Sequence, residues 1–241
     1  MIGFISAGFN PPASLTMEEI DFLDSSDKII VDTFTSPFYL KSYKNRDLIF
    51  ADREKLENYE WIFQLEGRIA IIISGDSFSA TTHFNIYSEA VKRNLEVKVF
   101  HNATIVPLAA TRLGLQLYKI GPVVSLPRFS EKFHPTSPYE KIKRNKEMKL
   151  HTIILLDISP PMTINEALEE LLLLEKEMKE GLFNSTTKIG VISCLGMPEE
   201  TIKFSTMERL LSESGLKPPL TIVIPGDLHF QEEENLSIFN F

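Results

Sequence analysis

Short apolar runs alternate with amphipathic stretches through the first half of the chain. Met1 to Ala7 predicts a strand. Thr16 to Ser25 predicts a short helix, with Thr16 as N-cap and Glu19 as its capping-box partner. Lys28 to Asp32 reads as a second strand, and Asp52 to Glu66 as a helix with an acidic start. Arg68 to Ser74 is apolar at five successive positions, the pattern of a central parallel strand covered on both faces. Ala80 to Arg93 then predicts a helix and Glu96 to Phe100 a strand. Strand and helix alternate, which predicts an α/β layered domain.

The pattern shifts after Leu113. Strand-like pieces fall at Pro122 to Leu126, His151 to Asp157, Lys188 to Ser193 and Leu220 to Ile224. Between them, TINEALEELLLLEKEMKEG places Ile164, Ala167, Leu168, Leu171, Leu172, Leu174 and Met178 close to one helical face. That stripe reads as core packing, with Gly181 as the helix stop. Phe129 to Tyr139 shows little periodicity and reads as a long loop. The chain therefore divides into two α/β domains, residues 1–113 and 114–241, with the junction near 110–120.

Composition narrows the function classes. The chain has 241 residues, 43% of them hydrophobic, enough for a substantial core. The formal net charge is −8, and no Lys/Arg block is dense enough to neutralise a phosphate backbone. Nucleic acid is therefore disfavoured as the main partner. Cys194 is the only cysteine, so no intrachain disulfide and no cysteine-based metal site is expected. The five histidines are scattered, with none paired at metal-ligand spacing. No apolar run approaches the ~20 residues of a membrane helix. MIGFISAG lacks a basic stretch before its apolar run, so it reads as a buried strand rather than a secretory leader. Cytoplasm is the expected location.

Three loops leave strand ends with suggestive chemistry: Ala7 to Pro12, Ser74 to His83, and His101 to Ile105. In open α/β sheets ligands sit beyond the carboxyl ends of the strands. Gly8 and Gly75 would let backbone approach a ligand closely. Asp76 could accept hydrogen bonds from a hydroxyl or an ammonium. Equally, Asp76 and Ser79 could form a turn and cap the next helix. His83, at a helix start, reads as packing. GxGxxG, Walker A and GxSxG motifs are absent, which disfavours the common dinucleotide, triphosphate and serine-hydrolase readings.

The segment GDSFSATTH resembles the GD-P-x-x-ATTH segment of the diphthine synthase family, within the tetrapyrrole methylase superfamily. Six further segments match that family in order: SAGFNPPASLT, HNATI, GLQLYKIG, SPYEKIKRN followed by LHTIILLDI, TINEALEELLLLEKEMKEG, and VIPGDLHFQEEE. The resemblance spans the chain. It implies two α/β domains with S-adenosylmethionine in the cleft between them, usually in a homodimer. It also implies methyl transfer to the amino group of an aminocarboxypropyl-histidine on translation elongation factor 2, giving diphthine in diphthamide biosynthesis. The sulfonium donor is already activated, so no metal is implied.

Position by position, the family's cofactor contacts fall on Phe9, Asp76, Ser79, Thr104, Ile105, Leu156, Leu195 and His229. Several are apolar, so backbone groups and van der Waals surface would carry those contacts. No general base is assigned. Three departures bear on the geometry around the cofactor. Ser6-Ala7-Gly8 replaces the usual G-L-G, Ser77 replaces the usual proline after Gly75-Asp76, and Ser193-Cys194-Leu195-Gly196 replaces an arginine-bearing stretch. Gly8, Gly75 and Asp76 remain. Two alternatives stay open: another methylase of the superfamily, acting on a tetrapyrrole or ribosomal RNA, or a non-catalytic protein that binds S-adenosylmethionine.

Overall fold

The structure is a computed structural model that describes residues 1–35 and 40–240. It resolves into two units, Met1–Thr104 and Ile105–Phe241.

The first unit carries five strands: β1 (Ile2–Ser6), β2 (Lys28–Asp32), β3 (Leu48–Ala51), β4 (Ile69–Ile73) and β5 (Val97–Phe100). All are parallel, in the order β3-β2-β4-β1-β5. β1 and β4 are wholly buried, as their unbroken apolar runs predict. Alternation splits the core between two faces. Phe4, Ile71 and Ile73 pack with Ile86 and Ala90 of α3 (Phe84–Lys92) on one face. Ile5, Ala7 and Ile72 pack with Phe22 and Leu23 of α1 (Met17–Asp24) on the other. The Thr16–Glu19 capping box that starts α1 is present in full.

The helix expected over 52–66 is broken. Arg53–Glu57 forms α2, and Tyr59–Gln64 tightens into a 3-10 turn. The aromatic run there buries Ile62 and packs Tyr59, Trp61 and Phe63 against the core, so packing overrides the helical pattern. The helix expected from Ala80 starts later, at Phe84, because Ser77 to Thr82 form turns held by side chains.

In the second unit, α4 (Ile105–Arg112) comes first, then β6 (Val124–Leu126), α5 (Ser137–Glu147), β7 (Thr152–Leu156) and α6 (Ile164–Met178). There follow β8 (Lys188–Ser193), β9 (Thr201–Thr206), α7 (Met207–Leu211), β10 (Leu220–Ile224) and α8 (Phe230–Ser237). The sheet order is β6-β7-β10-β8-β9, with β10 antiparallel to both neighbours. One face packs Leu168, Leu171 and Leu174 of α6 with Tyr139 of α5 and Leu210 of α7. The other packs Ala109, Ala110 and Leu113 with Leu236 of α8. α4 belongs to this second core, so the units divide before that helix, whereas the sequence pattern suggested a boundary after it. The expected loop at 129–139 ends early, because α5 begins at Ser137 with Pro138 in its first turn, where the missing N–H costs nothing. α6 stops at Lys179, which takes the left-handed cap conformation, two residues before Gly181.

The α6 stripe yields a direct stability test. Leu171 is fully buried and Leu173 is 40% exposed. Leu171→Ala is expected to cost about 2–5 kcal/mol, and Leu173→Ala roughly 0.5 kcal/mol or less. Urea unfolding of both variants checks this; equal costs would contradict the packing.

Candidate functional site

β1, β4 and β5 are adjacent and parallel, so the loops that follow them emerge side by side at one edge of the first unit's sheet. The chain leaves β1 toward α1 on one face, and leaves β4 toward α3 on the other. Adjacent strands whose connections diverge in this way open a crevice at their carboxyl ends.

Two glycines fill that crevice edge. Gly8 and Gly75 exchange reciprocal backbone hydrogen bonds, Gly8 N to Gly75 O at 3.2 Å and Gly75 N to Gly8 O at 2.7 Å. Their φ angles are +63° and +72°, a region that disfavours any residue with a Cβ. An added Cβ on Gly75 would stand in ordinary contact with Ala103 O at 3.6 Å and the Phe9 ring at 3.8 Å. A side chain at Gly8 would instead strike Ser14 Cβ at 2.8 Å.

Asp76 follows directly. Its Oδ1 accepts the Phe78 amide at 3.1 Å, and Ser79 N donates to Asp76 O at 3.2 Å. Asp76 therefore shapes a turn, but it does not cap α3, whose N-cap is His83. Its Oδ2 lies 3.0 Å from Nδ1 of the exposed His101. The carboxylate is 16% exposed, open enough to meet a ligand. The Ser79 and Thr104 hydroxyls share a 2.5 Å hydrogen bond, joining the second loop to the third. Phe9, Asp76, Ser79 and Thr104, four of the expected residues, thus fall in one loop cluster.

Several further residues tie this cluster together by pairings that carried no expectation. Asn102 Nδ2 donates to Ser14 O at 3.0 Å, while its Oδ1 accepts the Ala103 amide at 2.8 Å. Ser14 Oγ accepts the Asn10 amide at 3.1 Å and donates to Ala7 O. Together they fasten the first loop to the third. Ser6 and Ser77, both fully buried, meet across the first and second loops. The Asx pattern at Asp76 was readable from sequence; these long-range pairings were not.

His83 and Asp32 form a buried pair nearby, with Nε2 to Oδ2 at 3.4 Å and His83 only 2% exposed. Asp32 closes β2 and accepts the amides of Phe34 at 2.6 Å and Thr35 at 3.0 Å. Burial pushes the His83 pKa down and outweighs the pull of Asp32 in the other direction. The imidazole is accordingly neutral at pH 7.

In the second unit, Leu156 ends β7 and Leu195 follows β8. The register, Leu155 opposite Thr221 and Ser193 opposite Leu220, brings both to one edge of the sheet. Their side chains diverge. Leu156 turns into the core under α5 and α6, whereas Leu195 and Ile105 pack on the core beneath α4. His229 is apart from them, following β10 beyond the opposite edge and capping α8. Its Nδ1 accepts the Gln231 amide at 3.3 Å, and its own N–H donates to Glu232 at 2.8 Å.

Glu232 is the anchor of that end. It is 1% exposed and takes hydrogen bonds from the Gln116 amide at 2.8 Å, Lys119 Nζ at 2.6 Å and His151 Nε2 at 2.9 Å. Burial alone would raise its pKa. The His229 amide and Lys119, followed by the Gln116 amide and His151, outweigh that and bring it down to about 2. His151 Nδ1 accepts the Gly226 amide at 2.9 Å, so its proton sits on Nε2 and points at Glu232. Burial lowers the His151 pKa as well, against the opposing effect of Glu232.

A parallel sheet with paired glycines at its carboxyl edge, followed in the chain by a mixed α/β unit, defines a two-unit α/β protein. The chain belongs to the tetrapyrrole (corrin/porphyrin) methylases, whose pattern matches residues 1–211. It is 33% identical to the diphthine synthase of Thermoplasma acidophilum, across 100% of this chain and 96% of that one. It is 31% identical to the diphthine methyl ester synthase of Dictyostelium discoideum, across 98% of this chain and 96% of that one. A solved diphthine synthase shares the fold with a TM-score of 0.86, at 24% identity, over 99% of this chain and 95% of the other.

Both depressed histidines set a pH dependence. In the unfolded chain they bind protons near pH 6.5; in the folded chain burial keeps them neutral to lower pH. The unfolded state therefore binds more protons as pH falls below about 6.5, and stability drops. Glu232 adds a second loss, beginning as pH falls through the ordinary carboxylate range and continuing toward about 2. Urea midpoints are expected to fall from about pH 7.5 to about 5.5, and less so in His151→Gln. A flat profile would contradict the buried neutral histidines.

Proposed function

We propose that the chain transfers methyl groups from S-adenosylmethionine to the amino group of the aminocarboxypropyl chain on the modified histidine of translation elongation factor 2, giving diphthine. The observation that carries this reading is the match to diphthine synthases across the whole chain. The donor, when bound, supplies a methyl group already activated on sulfur.

The first unit's edge fits such a cofactor. Asp76, directly after Gly75, presents a partly exposed carboxylate to an ammonium or a hydroxyl. The Ser79–Thr104 pair adds hydroxyls at the same edge. Phe9 would offer ring surface. Ile105, Leu156 and Leu195, which the family resemblance marks as cofactor contacts, would act through apolar surface and backbone groups. His229 lies beyond the edge of its sheet opposite Leu156 and Leu195, with its Nδ1 committed to the cap, and no contact with the ligand is assigned to it. Methyl transfer is an in-line displacement, so the protein's contributions are alignment and exclusion of water. The acceptor amine must be neutral to attack. An unperturbed lysine-like amine has a pKa near ~10, and partial desolvation lowers it. A named base is not required.

A second reading is favoured by one observation, the match to a diphthine methyl ester synthase at similar identity. That enzyme's name adds a carboxyl methyl to the product, and an ester is cleaved by mild alkali whereas N-methyl groups are not. The protein works as a homodimer in the cytoplasm, where its acceptor resides. Among the described residues no helix is long and apolar enough to cross a membrane.

The test is methyl incorporation from labelled S-adenosylmethionine into an elongation factor already carrying the aminocarboxypropyl histidine, with the unmodified factor as control. Alkali-stable mass steps up to a trimethylated amine, on the modified factor alone, are expected. An added alkali-labile step would favour the ester reading; cofactor binding without incorporation would favour a binding protein. Asp76→Ala is expected to weaken cofactor binding about tenfold or more, the scale of a lost charged hydrogen bond. Unchanged affinity in calorimetry would remove Asp76 from the site. Light scattering at micromolar concentration is expected to give the dimer mass, and a monomer mass would contradict the dimer.

A further inference from the structure

Asp76 is flanked by two attachments to the same stretch of chain. On one side, Gly75 pairs reciprocally with Gly8. On the other, the Ser77 amide donates to Ser6 Oγ at 2.9 Å, and the two hydroxyls lie 2.9 Å apart. Both serines are fully buried, so water cannot replace either bond. β1 therefore grips the second loop immediately before and immediately after the carboxylate. The first grip uses backbone alone. The second depends on one side chain, Ser6, the last residue of β1.

We propose that Ser6 is a positioning residue for this site: its hydroxyl holds the Ser77 amide, and through it fixes Asp76 in the geometry that receives the cofactor. This rests on the methyltransferase reading above. Ser6 need not touch a ligand. It acts by removing the freedom of the peptide that follows Asp76.

The same geometry explains why the two departures from the family pattern occur together. In a proline the ring Cδ takes the place of the amide hydrogen. Ser6 Oγ accepts that hydrogen from a nitrogen only 2.9 Å away, and a ring carbon does not fit between them. Proline at 77 thus excludes the hydroxyl at 6, and it needs no acceptor there, as with glycine. Serine at 77 brings back a buried N–H, which must be satisfied, and Ser6 satisfies it. Serine–serine and glycine–proline are two closed solutions to the same constraint, and the mixed pairs are not.

The experiment compares the full-length wild type, Ser6→Gly, and the double variant Ser6→Gly/Ser77→Pro, each confirmed folded by its melting transition. Calorimetry with S-adenosylhomocysteine, well below the lowest melting temperature, is expected to show Kd raised about tenfold in Ser6→Gly, the scale of one buried unsatisfied amide. The double variant is expected to return to within about threefold of wild type. Hydrogen exchange gives a cofactor-independent readout: the Ser77 amide is expected to be protected in the wild type and to exchange at least about tenfold faster in Ser6→Gly. Wild-type Kd in Ser6→Gly, or a double variant no tighter than the single, would overturn the proposal. Failure of the wild type to bind, with Ser77 exchange still responding to Ser6→Gly, would instead overturn the methyltransferase reading and leave the coupling of Ser6 to the loop intact.

Discussion

The reciprocal pair between Gly8 and Gly75 is the constraint on which the rest of the first unit's edge depends. Two adjacent parallel strands end there, and their chains depart toward opposite faces of the sheet. Without a tie, two such loops would splay. The backbone pair closes them, and it requires both residues in the left-handed region. From that point outward the other bonds follow in sequence: Ser6 to Ser77, Asp76 to Phe78 and His101, Ser79 to Thr104, and Asn102 to Ser14. Each joins two loops or stiffens one. The result is a small polar network at the end of an apolar sheet.

The second unit uses a different device. Its sheet is mixed, and its last helix is anchored by a single buried carboxylate. Glu232 gathers two amides, an ammonium and an imidazole. One partner is His151 at the start of β7, so the helix end and the strand start are fixed to one another. The cost of burying that charge is offset by four donors, which is why its pKa falls rather than rises. The closing PGDLH stretch owes its shape to this anchor, and His229 is held there as a cap.

How much was legible in the sequence depended on burial. β1, β2 and β4 announce themselves because the centres of strands covered on both faces are apolar, as in GFI, IIV and IAIII. TIKFST does not, because β9 lies at one edge of its sheet and carries mixed residues, and LIFA of edge strand β3, though apolar, is only four residues long, too short a run to stand out. α4 was masked by Pro107, harmless in a first turn, and α8 by its run of polar residues. The loops of the site stood out because glycine and aspartate directly after an apolar strand are conspicuous. The bonds that organise them did not, since Ser6 and Ser77 are 71 positions apart and Ser14 and Asn102 are 88. Local pattern carries no information about such pairings.

Under the proposed function, S-adenosylmethionine lies against the carboxyl edge of the first sheet. Amide hydrogen exchange with and without saturating S-adenosylhomocysteine tests it most directly. Slowed exchange at the amides of Phe9, Asp76, Ser79 and Thr104, with the far ends of β1 and β4 unchanged, is the predicted result. Saturable binding that leaves these amides unaffected, with protection elsewhere, would contradict it.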